Sequence, residues 1–186
     1  MDDIKERIID EAIERFNKDG LKFTLDELVE GMHISKKTVY KQFGNKEELL
    51  KSVVDYVFDA IREKEEEIIA DDSLDLLEKI RRVVLCLPDK YKDIDFIKAY
   101  QIKDKYPDVY DHIVYKIDNS WGNADKLFAE AIEKKLIKDV PLVFIRLMII
   151  GCTVQFITSK EVMDTGLSYE EVMESMMSVI MAGIVL

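Results

Sequence analysis

Apolar residues recur at helical spacing from the first turns of the chain. Ile4, Ile8, Ile9, Ala12, Ile13 and Phe16 fall on one face of a rod that stops at Asp19-Gly20, where glycine accepts the left-handed conformation that closes a helix. Thr24, with Glu27 three residues on, forms a capping box that opens a second, short helix with Leu25, Leu28, Val29 and Met32 as its apolar side. Ser35 caps a third short helix whose inward residues are Val39 and Phe43, and Gly44 ends it. Asn45 with Glu48 opens a fourth, predicted from Lys46 to about Ile69, a rod on the order of 35 Å.

The same periodicity continues through the chain. Amphipathic stretches run from Leu74 to Leu87, stopped by Pro88, and from Ile94 to Lys105, stopped before Pro107. A long one is predicted from Asp108 to Ile137, with Ser120-Trp121-Gly122-Asn123 as a place to bend. Two strongly apolar helices follow, Pro141 to Ser159 and Ser168 to Ile184, the second opened by a Ser168/Glu171 capping box. There is no internal repeat. The expected fold is all-α, with about nine helices: an N-terminal three-helix unit over 1–46 and a larger helical domain over 47–186.

Composition supports this picture. With only 3 Pro and 7 Gly in 186 residues, few breakers interrupt the helices, and 48% hydrophobic content excludes a disordered or low-complexity chain. Met1-Asp2-Asp3-Ile4 lacks the basic and apolar regions of a signal peptide, and the apolar stretch from Pro141 to Ile157 is interrupted by Arg146, Thr153 and Gln155. The expected location is the cytoplasm. Cys86 and Cys152 have no neighbouring Cys or His at metal-ligand spacing and read as reduced core thiols.

A net charge of −11 argues against a nucleic-acid partner if it is taken as a sum. Its distribution reverses that conclusion. From His33 to Lys46 the chain carries Lys36, Lys37, Lys41 and Lys46 and no acid, while acidic stretches lie on both sides. This window coincides with two short helices joined by a turn at Met32-His33-Ile34, the layout of a helix-turn-helix whose second helix enters the major groove.

Ala12, Phe16, Gly20, Thr24, Leu28, Ser35, Thr38, Tyr40, Phe43, Lys46, Glu47 and Leu49 stand at the spacings of the tetracycline-repressor (TetR) family, and the chain resembles that family over its first quarter. Two positions depart from the family pattern: Val29 stands where alanine is usual, and His33 where a turn glycine is usual. Histidine is among the better tolerated residues at positive φ. The resemblance implies that Thr24, Tyr40 and Lys46 clamp phosphates, that base readout falls to Lys36, Lys37, Thr38 and Lys41, with Lys37 and Lys41 on one face suited to guanine acceptors, and that Ser35 belongs to the same DNA surface. It also implies a homodimer that reads a palindromic double-stranded operator, built through the last two helices. Gly151, Met173, Met177, Met181 and Ala182 are the candidate interface residues.

The resemblance further implies a small-molecule effector in the helical body, among helices four to eight, that would release the protein from DNA. Phe58, Phe96, Tyr100, Tyr115 and Trp121 supply aromatic area for a pocket, and Met148, Cys152, Gln155 and Phe156 complete the candidate lining. No cofactor, metal or membrane partner is expected. His112 and Asp108 are read as surface residues, and no paired catalytic groups suggest an enzyme. The run Glu63-Lys64-Glu65-Glu66-Glu67 is read as a solvated helix face. The competing reading is a dimeric helical adaptor or ligand-binding protein without DNA function.

Overall fold

The computed structural model describes residues 3–91 and 96–186. It is all-helical apart from one isolated β-bridge, and it divides into two compact units, Met1–Asp59 with Asp93–Ile113 and Ala60–Lys92 with Val114–Leu186.

The first unit contains α1 (Asp3–Asp19), a 3-10 turn (Gly20–Lys22), α2 (Leu25–Met32) and α3 (Lys36–Gln42). It also takes in the start of α4 (Lys46–Ala70), α6 (Phe96–Lys105) and the start of α7 (Pro107–Asn119). The α1 stripe is buried as its spacing requires, from Ile8 and Ile9 through Ala12 and Ile13 to Phe16. Leu28 of α2, Val39 of α3 and Leu49 of α4 are all fully buried, so each of the three helices sends one apolar anchor into the same unit. Complete burial of such a side chain contributes about 1.5–3 kcal/mol. Gly31 leaves room for the Glu11–Arg15 ion pair of α1, since a Cβ there would stand 2.6 Å from Arg15 Nη2 and 2.7 Å from Glu11 Oε1.

The second unit contains α5 (Leu76–Val84), α8 (Gly122–Glu133), α9 (Leu142–Thr158), the short α10 (Lys160–Met163) and α11 (Tyr169–Ile184), with the remainder of α4 and α7. Ile80 and Val83 of α5 pack with Leu127, Phe128 and Ala131 of α8, and this core extends through Ile145 and Ile149 of α9 to Met173 and Met177 of α11. Ile137 pairs with Val185 in the isolated bridge, and Lys138 Nζ donates to the Gly183 carbonyl at 2.7 Å. That ammonium satisfies a carbonyl in the last turn of α11, where a cation also suits the helix dipole.

The helix expected over Asp108–Ile137 is two helices. At the break, Asn119 Nδ2 donates to the Tyr115 carbonyl at 2.8 Å and Ser120 Oγ to the Ile117 carbonyl at 3.3 Å. Short polar side chains thus take over carbonyls that a continuing helix would use. Asp75 caps α5 by accepting from the Glu78 amide at 2.8 Å, which starts that helix later than the apolar pattern suggested.

The acidic run of α4 is not uniformly solvated. Glu65 is only 8% exposed and accepts a 2.9 Å hydrogen bond from Asn123 Nδ2 of α8, an approach across 58 positions of sequence. Burial pushes the Glu65 carboxyl above its ordinary range, and the Asn123 bond opposes that rise only in part. A raised folded-state pKa means that the folded chain holds the proton longer than the unfolded one, so the associated stability is present in acid and is lost as pH rises. Glu65→Gln keeps an acceptor for Asn123 without the charge. It is expected to be more stable than the parent near neutral pH, with the advantage shrinking towards acid, as measured by urea unfolding across a pH series.

Candidate nucleic-acid interface

The turn between α2 and α3 is built by local rules. Thr24 Oγ1 accepts from the Glu27 amide at 3.3 Å, while Glu27 Oε2 accepts from the Thr24 amide at 2.6 Å, completing the expected capping box. His33 closes α2 in the left-handed region at φ 55°, the conformation for which glycine is favoured. Ser35 then opens α3 by accepting from the Thr38 amide at 3.1 Å. Asn45 Oδ1 receives the Glu48 amide at 2.9 Å, and Glu48 reaches back to the Gly44 amide rather than to that of Asn45.

With Val39 and Phe43 buried, the opposite face of α3 stands in solvent. Lys37 and Lys41 are exposed there, and the Tyr40 ring is 50% exposed between them. Among the described residues neither Lys37 nor Lys41 makes an ion pair. Lys36 does: its ammonium lies 2.6 Å from Asp26 Oδ2 of α2. Thr38 is half-buried, with its hydroxyl 2.8 Å from that of Ser35. Both hydroxyls therefore serve the helix start as well as lying beside the basic face.

Lys46 departs most from the picture of a projecting phosphate clamp. Its ammonium turns inward, donating to the Leu21 carbonyl at 2.8 Å and to the Phe23 carbonyl, and lies 3.9 Å from the centre of the Phe23 ring. The side chain ties the first turn of α4 to the segment that leads into α2. Burial, with Lys105 as a smaller contribution, lowers its pKa from 10.5 to about 8.

The structure distributes the remaining candidates unevenly. Met173 and Met177, expected at a dimer interface, fill the core of their own unit, because the inward face of α11 is the one that carries them. Met181 is half-buried, whereas Gly151 and Ala182 are exposed. Met148, 47% exposed, and Gln155 lie on the same outward stripe of α9 as Gly151 and do not point into an interior. Cys152, Phe156 and Trp121 are partly buried against the core of the second unit, and Phe58 is half-buried in the first. Tyr115 is 61% exposed, and the side chains of Phe96 and Tyr100 lie outside the described residues. His112 meets not Asp108 but Asp55, at 2.9 Å. No three His, Cys, Asp or Glu side chains gather at metal-binding range among the described residues.

A capped helix-turn-helix whose second helix turns two exposed lysines and a tyrosine to solvent defines a DNA-binding protein of the helix-turn-helix class. Residues 8–53 match the family described as "Bacterial regulatory proteins, tetR family". The uncharacterised HTH-type transcriptional regulator YvaF of Bacillus subtilis (strain 168) is 25% identical over 179 residues, spanning 96% of this chain and 94% of the relative. Among solved structures, a TetR/AcrR-family regulator from Thermobifida fusca YX-ER1 superposes with a TM-score of 0.71 at 19% identity, covering 98% of both chains. Bacillus subtilis FadR, solved with stearoyl-CoA, gives 0.70 at 19% identity over 96% of this chain and 98% of its own. Residues 8–53 are thus a TetR-type DNA-binding region, and the chain as a whole is similar to helix-turn-helix transcriptional regulators. Among the described residues, no helix is long and apolar enough to cross a membrane.

The inward Lys46 ammonium has a measurable signature. Between about pH 8 and 10.5 the unfolded chain still holds this proton while the folded chain has released it, so raising pH through that window favours the folded state. Thermal unfolding of the parent is expected to show this gain relative to Lys46→Met, which has no proton to lose. Parallel pH profiles would mean that Lys46 is solvated in the folded state.

Proposed function

We propose that the chain is a homodimeric repressor that sets two α3 helices into successive major grooves of a palindromic operator, about one DNA turn apart. The observation that carries this reading is the α3 surface: in a chain of net charge −11, the helix built to enter a groove is free of acid and presents Lys37, Tyr40 and Lys41 outward. The reading head corresponds to residues 1–46 and the sensing and dimerising body to 47–186. Thr24, Ser35, Thr38 and Tyr40 position phosphates, and Lys37 and Lys41 face base edges. Lys46 acts on phosphates through the start of α4, where backbone amides and the helix dipole favour an anion, while its side chain holds that start in place. The protein works in the cytoplasm.

Sequences selected from a random duplex pool should contain inverted half-sites. Lys37→Gln is expected to weaken binding to the selected sequence and to relax preference at one or two base pairs per half-site, a loss of about 1–3 kcal/mol per affected contact. A uniform, sequence-blind loss would place Lys37 on the phosphate backbone instead. Absence of salt-dependent binding to any duplex would favour the adaptor reading.

Dimerisation is supported by an apolar stripe on each of the last two long helices. Phe144, Leu147, Met148 and Gly151 of α9 are exposed at spacings of three and four, and Val179, 75% exposed, lies one turn before Ala182 on α11. A second copy covers these stripes, with Gly151 and Ala182 allowing helices to approach closely. Leu147→Asp is expected to yield a folded monomer by sedimentation, with helical content retained because Leu147 is 56% exposed in the single chain. An unchanged dimer would move the interface elsewhere. A small molecule bound within the body favours the form that leaves DNA, its effect limited by its differential affinity for the two forms. Stearoyl-CoA, the ligand held by the Bacillus subtilis neighbour, is a rational first probe.

A further inference from the structure

Lys36 and its partner distinguish the two sides of the α3 surface. Lys36 opens the helix, beside the capping Ser35, where a cation is well placed to reach a phosphate. Its ammonium is instead held 2.6 Å from Asp26 Oδ2, in the first turn of α2, and both side chains are at least half exposed. The bond to Asp26 is the main reason the Lys36 ammonium holds its proton more firmly than usual. Glu30, one turn further along α2, adds a weaker field of the same sign.

Charge-driven DNA binding gains most of its free energy when cations displace counterions condensed on phosphates. A lysine already neutralised by a carboxylate contributes little to that exchange unless the pair breaks. Any such break leaves the Asp26 carboxylate facing the DNA. We infer that Asp26 is an affinity-setting residue: by occupying Lys36 it removes one cation per reading head from phosphate binding, restrains attachment to random DNA, and leaves recognition to Lys37 and Lys41. The inference rests on the DNA-binding reading of α3 and adds to it a built-in competitor for the phosphate.

The test measures binding of the full-length chain to a labelled random-sequence duplex over a salt series. Asp26→Asn is expected to steepen the dependence of log affinity on log salt by about 0.9 for each recognition helix on the DNA. At 0.1 M salt that corresponds to roughly eightfold tighter binding per added phosphate contact. In a Lys36→Met background the same substitution should have little effect, because no cation remains to be released. Glu30→Gln removes an equal charge from α2 without breaking the pair, and should leave the slope unchanged. Lys36→Met alone should bind random DNA nearly as well as the parent and with the same salt slope.

The inference is overturned if Asp26→Asn leaves the slope unaltered, if its effect persists undiminished without Lys36, or if Lys36→Met alone weakens binding to random DNA and lowers the slope by about 0.9 per recognition helix. A parent chain that binds no duplex at low salt is a separate result, and it overturns the DNA-binding reading itself.

Discussion

The basic, solvent-facing surface of α3 depends on the fully buried contacts that α2 and α3 make with their own unit, through Leu28 and Val39. A helix has one orientation about its axis, and burying Val39 with Phe43 sets that of α3. Lys37, Tyr40 and Lys41 are solvent-facing because the residues on the other side are committed to the core. The left-handed turn at His33 serves the same constraint. Such a conformation costs a residue with a Cβ roughly 1–2 kcal/mol, which is tolerable where complete burial of apolar anchors on both sides contributes more.

Polar groups then refine what the apolar core positions. Thr24, Ser35 and Asn45 each satisfy amides at a helix start, so the ends of α2, α3 and α4 are fixed where anions are best received. Lys46 extends this fixing over more than twenty residues of sequence, joining α4 to the carbonyls of Leu21 and Phe23. Three lysines close in sequence therefore have different roles. Lys37 is open to solvent, Lys36 is paired with a carboxylate, and Lys46 is turned into the protein.

How much of this was legible in the sequence depends on the range of the interaction. The caps, the left-handed turn and the inward face of α3 are set by residues within four positions of one another, and the sequence pattern located them. The ion pair of Lys36 with Asp26 crosses ten positions and the bond of Asn123 to Glu65 crosses 58. Neither follows from periodicity, so a run of acids looked uniformly solvated when one member is buried. The apolar character of α9 on nearly every side had a similar effect. Where all faces are apolar, spacing cannot tell which one meets the core, and Met148 and Gln155 were placed inside although the structure exposes them.

The methionines of α11 show the limit of composition in the same way. Met173 and Met177 have the adaptable side chains expected of an interface, yet their positions one turn apart put both on the face that packs with Ile145 and Ile149. What α11 leaves outward is smaller and less conspicuous, Val179 and Ala182, and on α9 Gly151 stands among the exposed Phe144, Leu147 and Met148. Small residues leave backbone accessible, and an exposed glycine with nothing near its absent Cβ gives up helix stability without any return inside the single chain. That cost is offset if another helix approaches at Gly151. On α11 the residues left for a second copy are then those that do least for the single chain, whereas the methionines that draw attention in the sequence are the ones its own core has already taken.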